Sequence, residues 1–212
     1  MVDGKPGIVN IGGLQWLDYA QAGPRKAMSL VREQKRQYLT PQGPAWVSYW
    51  PLLSGFRRAV SSPEPAAELE RVIAGVAGKD DWREAVYRQC VQGFLQLLPR
   101  GATGVPAARV TWAESDLRVT LRHLIGLRLR NDEYVVVAPY CKEPPLTQET
   151  AEVLLHLMEG LIDSILPGAT PVVFDTRHGR RFRLHRRTNR NQLDAYIRGL
   201  AAGYLRQWSL AA

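Results

Sequence analysis

The segment RHLIGLRLRNDEYVVVAPYCK (residues 122–142) decides the fold of this chain. Apolar residues alternate with arginines in its first half, which predicts a β-strand buried on one face, and Asn131-Asp132 is a typical turn dipeptide. Tyr134 to Val137 is a continuous apolar and β-branched run, which predicts a central strand buried on both faces. The segment therefore predicts a β-hairpin whose second strand lies inside a sheet.

The spacing of apolar residues changes along the chain at about residue 100. Residues 1–100 show mainly helical spacing, including a helix from Trp46 to Val60 with Trp50 facing inward, and residues 99–107 have the composition of a linker. Residues 108–212 alternate between strand and helix patterns. We expect an α/β (α+β) fold in one compact domain, with a helical region over 1–100 and a mixed-sheet core over 108–212. Residues 108–186 should form one sheet, with a helix over 147–166 packed on it.

Composition excludes some classes of protein. Hydrophobic residues make up 45% of the 212 residues and charged residues 23%, as in ordinary soluble domains. No apolar run is long enough to span a membrane, and the first residues lack the pattern of a signal peptide. Cys90 and Cys141 are the only cysteines and are not in a C-x-x-C motif. These features predict a cytoplasmic protein without membrane contact, disulfide framework or structural zinc.

The strongest charged feature is TRHGRRFRLHRRTNR (residues 176–190), which carries seven arginines and no acid within a chain of net charge +8. We interpret it as a hairpin that binds phosphates of DNA or RNA, with Phe182 and Leu184 anchoring its inner side. The alternative is a solvated edge strand, or a surface that binds an acidic protein partner. The predicted nucleic-acid ligands are Arg177, Arg180, Arg181, Arg183, Arg186, Arg187 and Arg190.

The order of elements over about residues 110–184 resembles the core of the PD-(D/E)XK nuclease-like superfamily. That resemblance implies an acid in the second strand and an acid with a lysine in the third, which together hold Mg²⁺ and position water. In this sequence Gly126 stands where the first acid belongs. The third-strand motif falls on Ala138-Pro139-Tyr140 or on Tyr140-Cys141-Lys142. Neither alignment has the acid, and only Lys142, in the second, matches a residue of the motif. The resemblance thus implies a nuclease-like fold without an intact catalytic set.

Two further resemblances add little about function. LQWLDYAQAGPRK (residues 14–26) is similar to a helix that opens RecB-type nuclease domains, but Gly23 replaces the cysteine, so an iron–sulfur cluster would have no ligand. The chain as a whole resembles uncharacterised actinobacterial proteins, which implies no activity.

Catalysis by displaced groups is the remaining enzymatic possibility. Glu133, Glu143 and Asp175, with Lys142, are weak catalytic candidates, whereas the simpler interpretation is solvated turn residues. The sequence contains no P-loop, GxGxxG, HExxH or G-x-S-x-G motif, and we expect no cofactor and no metal. Our leading hypothesis is an inactive nuclease-like protein that binds nucleic acid. The alternatives are a protein-interaction module that binds an acidic partner or self-associates, and an enzyme with an unrecognised site.

Overall fold

A computed structural model describes residues 7–39 and 49–211 and shows a mixed α/β fold. Residues 46–48, which open one of the predicted helices, lie outside the described part of the chain. In chain order the elements are β1 (Val9–Gly12), α1 (Gly13–Gln21), α2 (Pro24–Leu39), α3 (Trp50–Ala59), α4 (Pro65–Ala74), α5 (Asp81–Leu97), β2 (Thr103–Val105), β3 (Val110–Glu114), β4 (Leu117–Leu121), β5 (Ile125–Arg128), β6 (Tyr134–Tyr140), α6 (Gln148–Gly160), α7 (Ile162–Ile165), β7 (Thr170–Asp175), β8 (Arg180–Phe182) and α8 (Arg190–Leu210).

These elements form two compact units that the expected division into 1–100 and 108–212 does not match. The first unit contains residues 7–39, 110–122 and 185–211, and the second contains residues 49–109 and 123–184. Each unit is therefore assembled from separate stretches of the chain.

The prediction of one sheet over residues 108–186 is wrong, because two sheets form. In the first unit, β4 pairs with β3 in antiparallel and with β1 in parallel, so both of its edges are occupied. The β5 strand is then left to pair elsewhere. The sequence interpretation missed β1, whose four residues are too short to show a clear alternation, although Val9 and Ile11 are buried as a strand pattern requires.

The core of the first unit is aromatic. Trp16 of α1 is fully buried and contacts the rings of Tyr19 and Tyr204. Tyr204 of α8 donates its hydroxyl hydrogen to Oε1 of the buried Gln34, at 2.7 Å. This hydrogen bond pairs buried polar groups of α2 and α8.

The second unit contains a five-stranded sheet in the order β2-β5-β6-β7-β8. The predicted hairpin is confirmed as β5 and β6, and β6 is the central strand, with Val135 to Val137 buried. The β6 and β7 strands are parallel and are connected through α6. Thr147 caps α6 by accepting a hydrogen bond from the backbone N–H of Thr150.

Three local expectations require correction. Trp50 is 61% exposed rather than inward, because the buried stripe of α3 runs through Leu52, Leu53 and Phe56. The predicted linker over 99–107 contains β2, a three-residue strand that is too short to show a period. The predicted helix over 147–166 is interrupted at Leu161, which separates α6 from α7.

Candidate functional site at the carboxyl ends of two parallel strands

The candidate site lies where the parallel strands β6 and β7 end. Tyr140 and Asp175 are the last residues of these strands and are register partners. In open α/β sheets, ligand sites form in the crevice outside the carboxyl ends of parallel strands. The segment 141–146 after β6 and the turn 176–179 after β7 therefore meet at the place where this architecture puts functional groups.

Asp175 is the buried anchor of this site. Its side chain is fully buried, and Oδ2 accepts a hydrogen bond from the backbone N–H of Leu146, at 3.1 Å. Its Oδ1 accepts from the backbone N–H of His178 at 3.3 Å and lies 2.8 Å from Nδ1 of the same residue. A buried carboxylate needs such donors. Asp175 thereby holds the imidazole of His178 in a fixed orientation.

His178 connects the two candidate acids that the sequence had identified separately. Its Nδ1 faces Asp175, and its Nε2 lies 3.1 Å from Oε1 of Glu143. Carboxylate oxygens thus face both ring nitrogens, and an imidazolium would satisfy both with N–H donors. Glu143 is about half exposed, whereas the imidazole is about one quarter exposed. The array runs from a buried acid through a histidine to an acid at the surface.

Arg177 contacts the same carboxylate oxygen of Glu143 as His178. Its Nε lies 3.2 Å from Oε1 of Glu143 and 3.3 Å from Oε1 of Gln89 on α5. The side chain of Arg177 is only 15% exposed. It was predicted to be a phosphate ligand with the exposed arginines, but the structure places it in an intramolecular ion pair.

Two buried thiols lie beneath this array. Cys90 Sγ is 3.7 Å from the carbonyl oxygen of Cys141, and the hydroxyl of Thr176 is 3.3 Å from Cys141 Sγ. Burial raises the pKa of the Cys141 thiol well above its ordinary value. Burial likewise raises the pKa of Tyr49 to about 12, against the opposing effect of Arg177. Burial therefore favours the neutral Cys141 thiol, whereas the hydrogen bond with Cys141 lowers the pKa of the Cys90 thiol.

Gly93 fixes the turn that carries Arg177 and His178. A Cβ atom at this position of α5 would overlap the carbonyl oxygen of Thr176, and it would lie 2.9 Å from the carbonyl carbon and 3.4 Å from the backbone nitrogen of Gly179. Gly179 itself has φ +62°, which glycine adopts without strain. The helix therefore contacts the turn backbone to backbone.

Three exposed arginines lie in and directly after β8, beside the site. Phe182 is buried, which confirms its predicted role as the anchor of this hairpin, and Arg180, Arg181 and Arg183 are exposed. The guanidinium of Arg180 lies 5.3 Å from the centroid of the Phe182 ring. Within residues 7–39 and 49–211, no carboxylate is at ion-pair distance from Arg181 or Arg183.

The other three predicted arginines belong to the first unit and not to the hairpin. Arg186 and Arg187 are exposed in the segment after β8. Arg190 begins α8, and its Nη1 donates to the carbonyl oxygens of His185 and Thr188 at 2.7 and 2.9 Å. The seven arginines therefore do not form one strand, because β8 ends at Phe182.

The remaining sequence candidates are dispersed. Lys142 is half-buried just after β6, and Glu133 is exposed in the β5–β6 turn, at the opposite end of the sheet. A Cβ atom on Gly126 would lie 2.6 Å from the carbonyl oxygen of Val105, so an acid cannot be accommodated there without a shift of β2. Ala138 is buried in β6. The described residues contain no cluster of three His, Cys, Asp or Glu side chains that could bind a metal.

Sequence reasoning missed the central role of His178. It treated Glu143 and Asp175 as solvated turn residues and did not connect them with His178. One signal could have indicated the array: Asp175 and His178 are three residues apart across a tight turn that follows a parallel strand.

Comparisons with known proteins assign no family. The chain matches no protein-family model. No curated protein matches it significantly. None of the helices in the described ranges is both long and apolar enough to cross a lipid bilayer.

Proposed function

We propose that this protein binds nucleic acid through the arginines of β8 and has a nuclease-like core without metal-dependent catalysis. The observation that carries the proposal is the exposure of Arg180 and Arg181 in the short edge strand β8 and of Arg183 directly after it, around the buried anchor Phe182. Arginine bonds phosphate oxygens in a bidentate manner, and three exposed arginines within four residues, with no carboxylate of the described residues at ion-pair distance, suit a chain of phosphates.

The nuclease-like part of the proposal is supported by the succession β5, β6, α6, β7, with the central strand next to a short hairpin. The inactive part is supported by Gly126, where the resemblance requires an acid and β2 leaves no space for one. The cytoplasmic location also belongs to the proposal, because Cys90 and Cys141 are free thiols.

The experiment is a salt series with fluorescein-labelled duplex DNA, read by fluorescence anisotropy. Each phosphate contact releases condensed counterions, so log K falls with log salt at a slope of about −0.9 per contact. We expect a slope of about −3 to −4 for the parent protein. In a variant in which Arg180, Arg181, Arg183 and the next exposed arginine, Arg186, are all replaced by Gln, the slope should approach zero. The parent should bind a scrambled duplex as well as the original, because phosphate contacts carry no base information.

The matched control removes the same charge elsewhere. Arg25, Lys26, Arg32 and Arg206 are exposed residues of the first unit, and their replacement by Gln also lowers the net charge by four. The control should keep most of the affinity and nearly the full slope. If both quadruple variants weaken binding equally, net charge alone drives it, and if the first variant binds like the parent, the proposal is wrong.

An acidic protein partner is the alternative outcome. It would be indicated if the parent fails to bind DNA or RNA at low salt but binds polyglutamate in a manner that requires the β8 arginines. The same edge strand carries both possibilities, because its exposed guanidinium groups pair equally with carboxylates.

A further inference from the structure

Arg177 and His178 form a pair of adjacent donors whose shared acceptor is an acid from another loop. Arg177 Nε and His178 Nε2 both contact Oε1 of Glu143, at 3.2 and 3.1 Å. A single oxygen atom therefore fits between the guanidinium and the imidazole. A phosphate oxygen accepts hydrogen bonds from the same groups as a carboxylate oxygen does. The contact thus has the chemistry of an anion site that is filled by a side chain of the protein itself.

The two donors are positioned by groups other than Glu143. The buried carboxylate of Asp175 orients the imidazole through Nδ1, at 2.8 Å. Oε1 of Gln89 lies 3.3 Å from Nε of Arg177. The turn that carries both donors contacts the backbone of α5 at Gly93. Because their positions are fixed in advance, the donors lose little conformational freedom when they bind an anion.

Glu143 is the most exposed member of this contact. Its side chain is 51% exposed, whereas those of Arg177 and His178 are 15% and 23% exposed. A partly exposed ion pair stabilises a structure only weakly, because water screens it. Rotation of the glutamate side chain toward solvent therefore opens both donors to another anion at a small cost.

The contact lies next to the exposed arginines in and after β8. Asp175, which orients His178, is the register partner of Arg180. Nη1 of Arg180 donates to the carbonyl oxygen of Leu146 at 3.4 Å, and Leu146 ends the segment 141–146 that carries Glu143. A chain of phosphates bound at the β8 arginines therefore runs close to the Glu143 carboxylate, and the like charges repel.

We propose that Arg177 and His178 form a latent phosphate site, which the Glu143 carboxylate fills in the free protein and a phosphate group of the nucleic acid fills in the complex. The inference rests on the proposed function and adds a binding site to it. Within residues 7–39 and 49–211, Nη1 and Nη2 of Arg177 have no hydrogen-bond acceptor, so they can serve a second phosphate oxygen. The imidazolium of His178 supplies a further N–H donor. Glu143 is then an internal competitor of the ligand, and its removal strengthens binding.

The test is Glu143→Gln, which removes the charge of the competitor and keeps its size. Affinity for fluorescein-labelled duplex DNA, read by anisotropy, should rise by about 2- to 5-fold, the equivalent of one partly exposed ion pair. The log-salt slope should become steeper by about 0.9, since one phosphate contact is added. Glu143→Ala should change both quantities in the same direction, and Arg177→Gln introduced into the Glu143→Gln protein should abolish both gains. A gain on duplexes with and without a 5′-phosphate identifies a backbone phosphate as the ligand, and a gain confined to the phosphorylated duplex identifies a strand end.

Glu149→Gln is the matched control. Glu149 is exposed on α6 next to Gln148, whose side-chain amide donates to the carbonyl oxygen of Arg183 at 2.9 Å. The control thus removes an acid close to the same arginines and leaves the contact of Glu143 intact, so the slope should stay that of the parent. The latent site is rejected if Glu143→Gln binds DNA no more tightly than the parent, or if the control gains as much affinity. If the quadruple arginine variant binds like the parent, the proposed function itself fails.

Discussion

Replacement of Gly93 by alanine tests the site most directly, because it acts on the turn through backbone contacts alone. A methyl group at this position would overlap the carbonyl oxygen of Thr176, so either α5 or the turn 176–179 must move. Overpacking of this kind costs about 1–3 kcal/mol, and contact with backbone rather than with a flexible side chain places it at the upper end. Alanine in a helix interior returns about 1 kcal/mol relative to glycine. The net loss should be about 2 kcal/mol.

The assay is thermal unfolding followed by circular dichroism, with Gly199→Ala as the control. Gly199 is also inside a helix, but a Cβ atom there meets no atom within 4 Å. A loss of about 2 kcal/mol corresponds to a Tm lower by roughly 4–8 °C in a protein of this size, whereas the control should melt slightly higher than the parent. A Gly93→Ala protein that melts at or above the parent Tm would refute the described contact between α5 and the turn.

Three further predictions concern the second unit. Asp175→Asn should lower the free energy of unfolding, measured in urea, by about 1–3 kcal/mol. The amide has only one accepting oxygen, so it cannot accept hydrogen bonds from both Leu146 and His178. Burial favours the neutral phenol of Tyr49 in the folded state. Stability should therefore be unaffected below pH 10 and fall as the pH rises toward 12. Tyr49→Phe should reduce that loss, as measured by urea titrations at pH 10 and at pH 12. Addition of Mg²⁺ or Mn²⁺ should not produce cleavage of labelled DNA or RNA on a gel, since Gly126 leaves no space for an acid; cleavage that disappears in Asp175→Asn would contradict this.

The sequence predicted those elements whose pattern extends over several residues. The β5–β6 hairpin and the central position of β6 followed from the alternation and the apolar run over residues 122–142. The exposure of Arg181 and Arg183 followed from the alternation around the buried Phe182. Strands of three or four residues, such as β1 and β2, have too few positions to show a period. The strand pairing that divides the two sheets could therefore not be predicted from the sequence.

Side-chain convergence was the other unpredictable component. Glu143 and His178 are 35 residues apart, and only the parallel pairing of β6 with β7 brings their segments to one place. Arg177 illustrates the same limit, because its charge is evident in the sequence but its ion pair with Glu143 is not. An arginine count therefore overestimates the number of guanidinium groups that face a ligand.

The interleaving of the two units has a consequence for synthesis on the ribosome. The chain passes between the units four times, and β1 pairs in parallel with β4, which follows it by more than 100 residues. Pairing over such a separation carries a large loop-closure entropy and is slow to form. The first unit also requires α8, so most of the chain must emerge before its sheet and aromatic core can close. A fragment that ends before residue 110 contains neither complete sheet, and we expect it to aggregate or be degraded rather than fold.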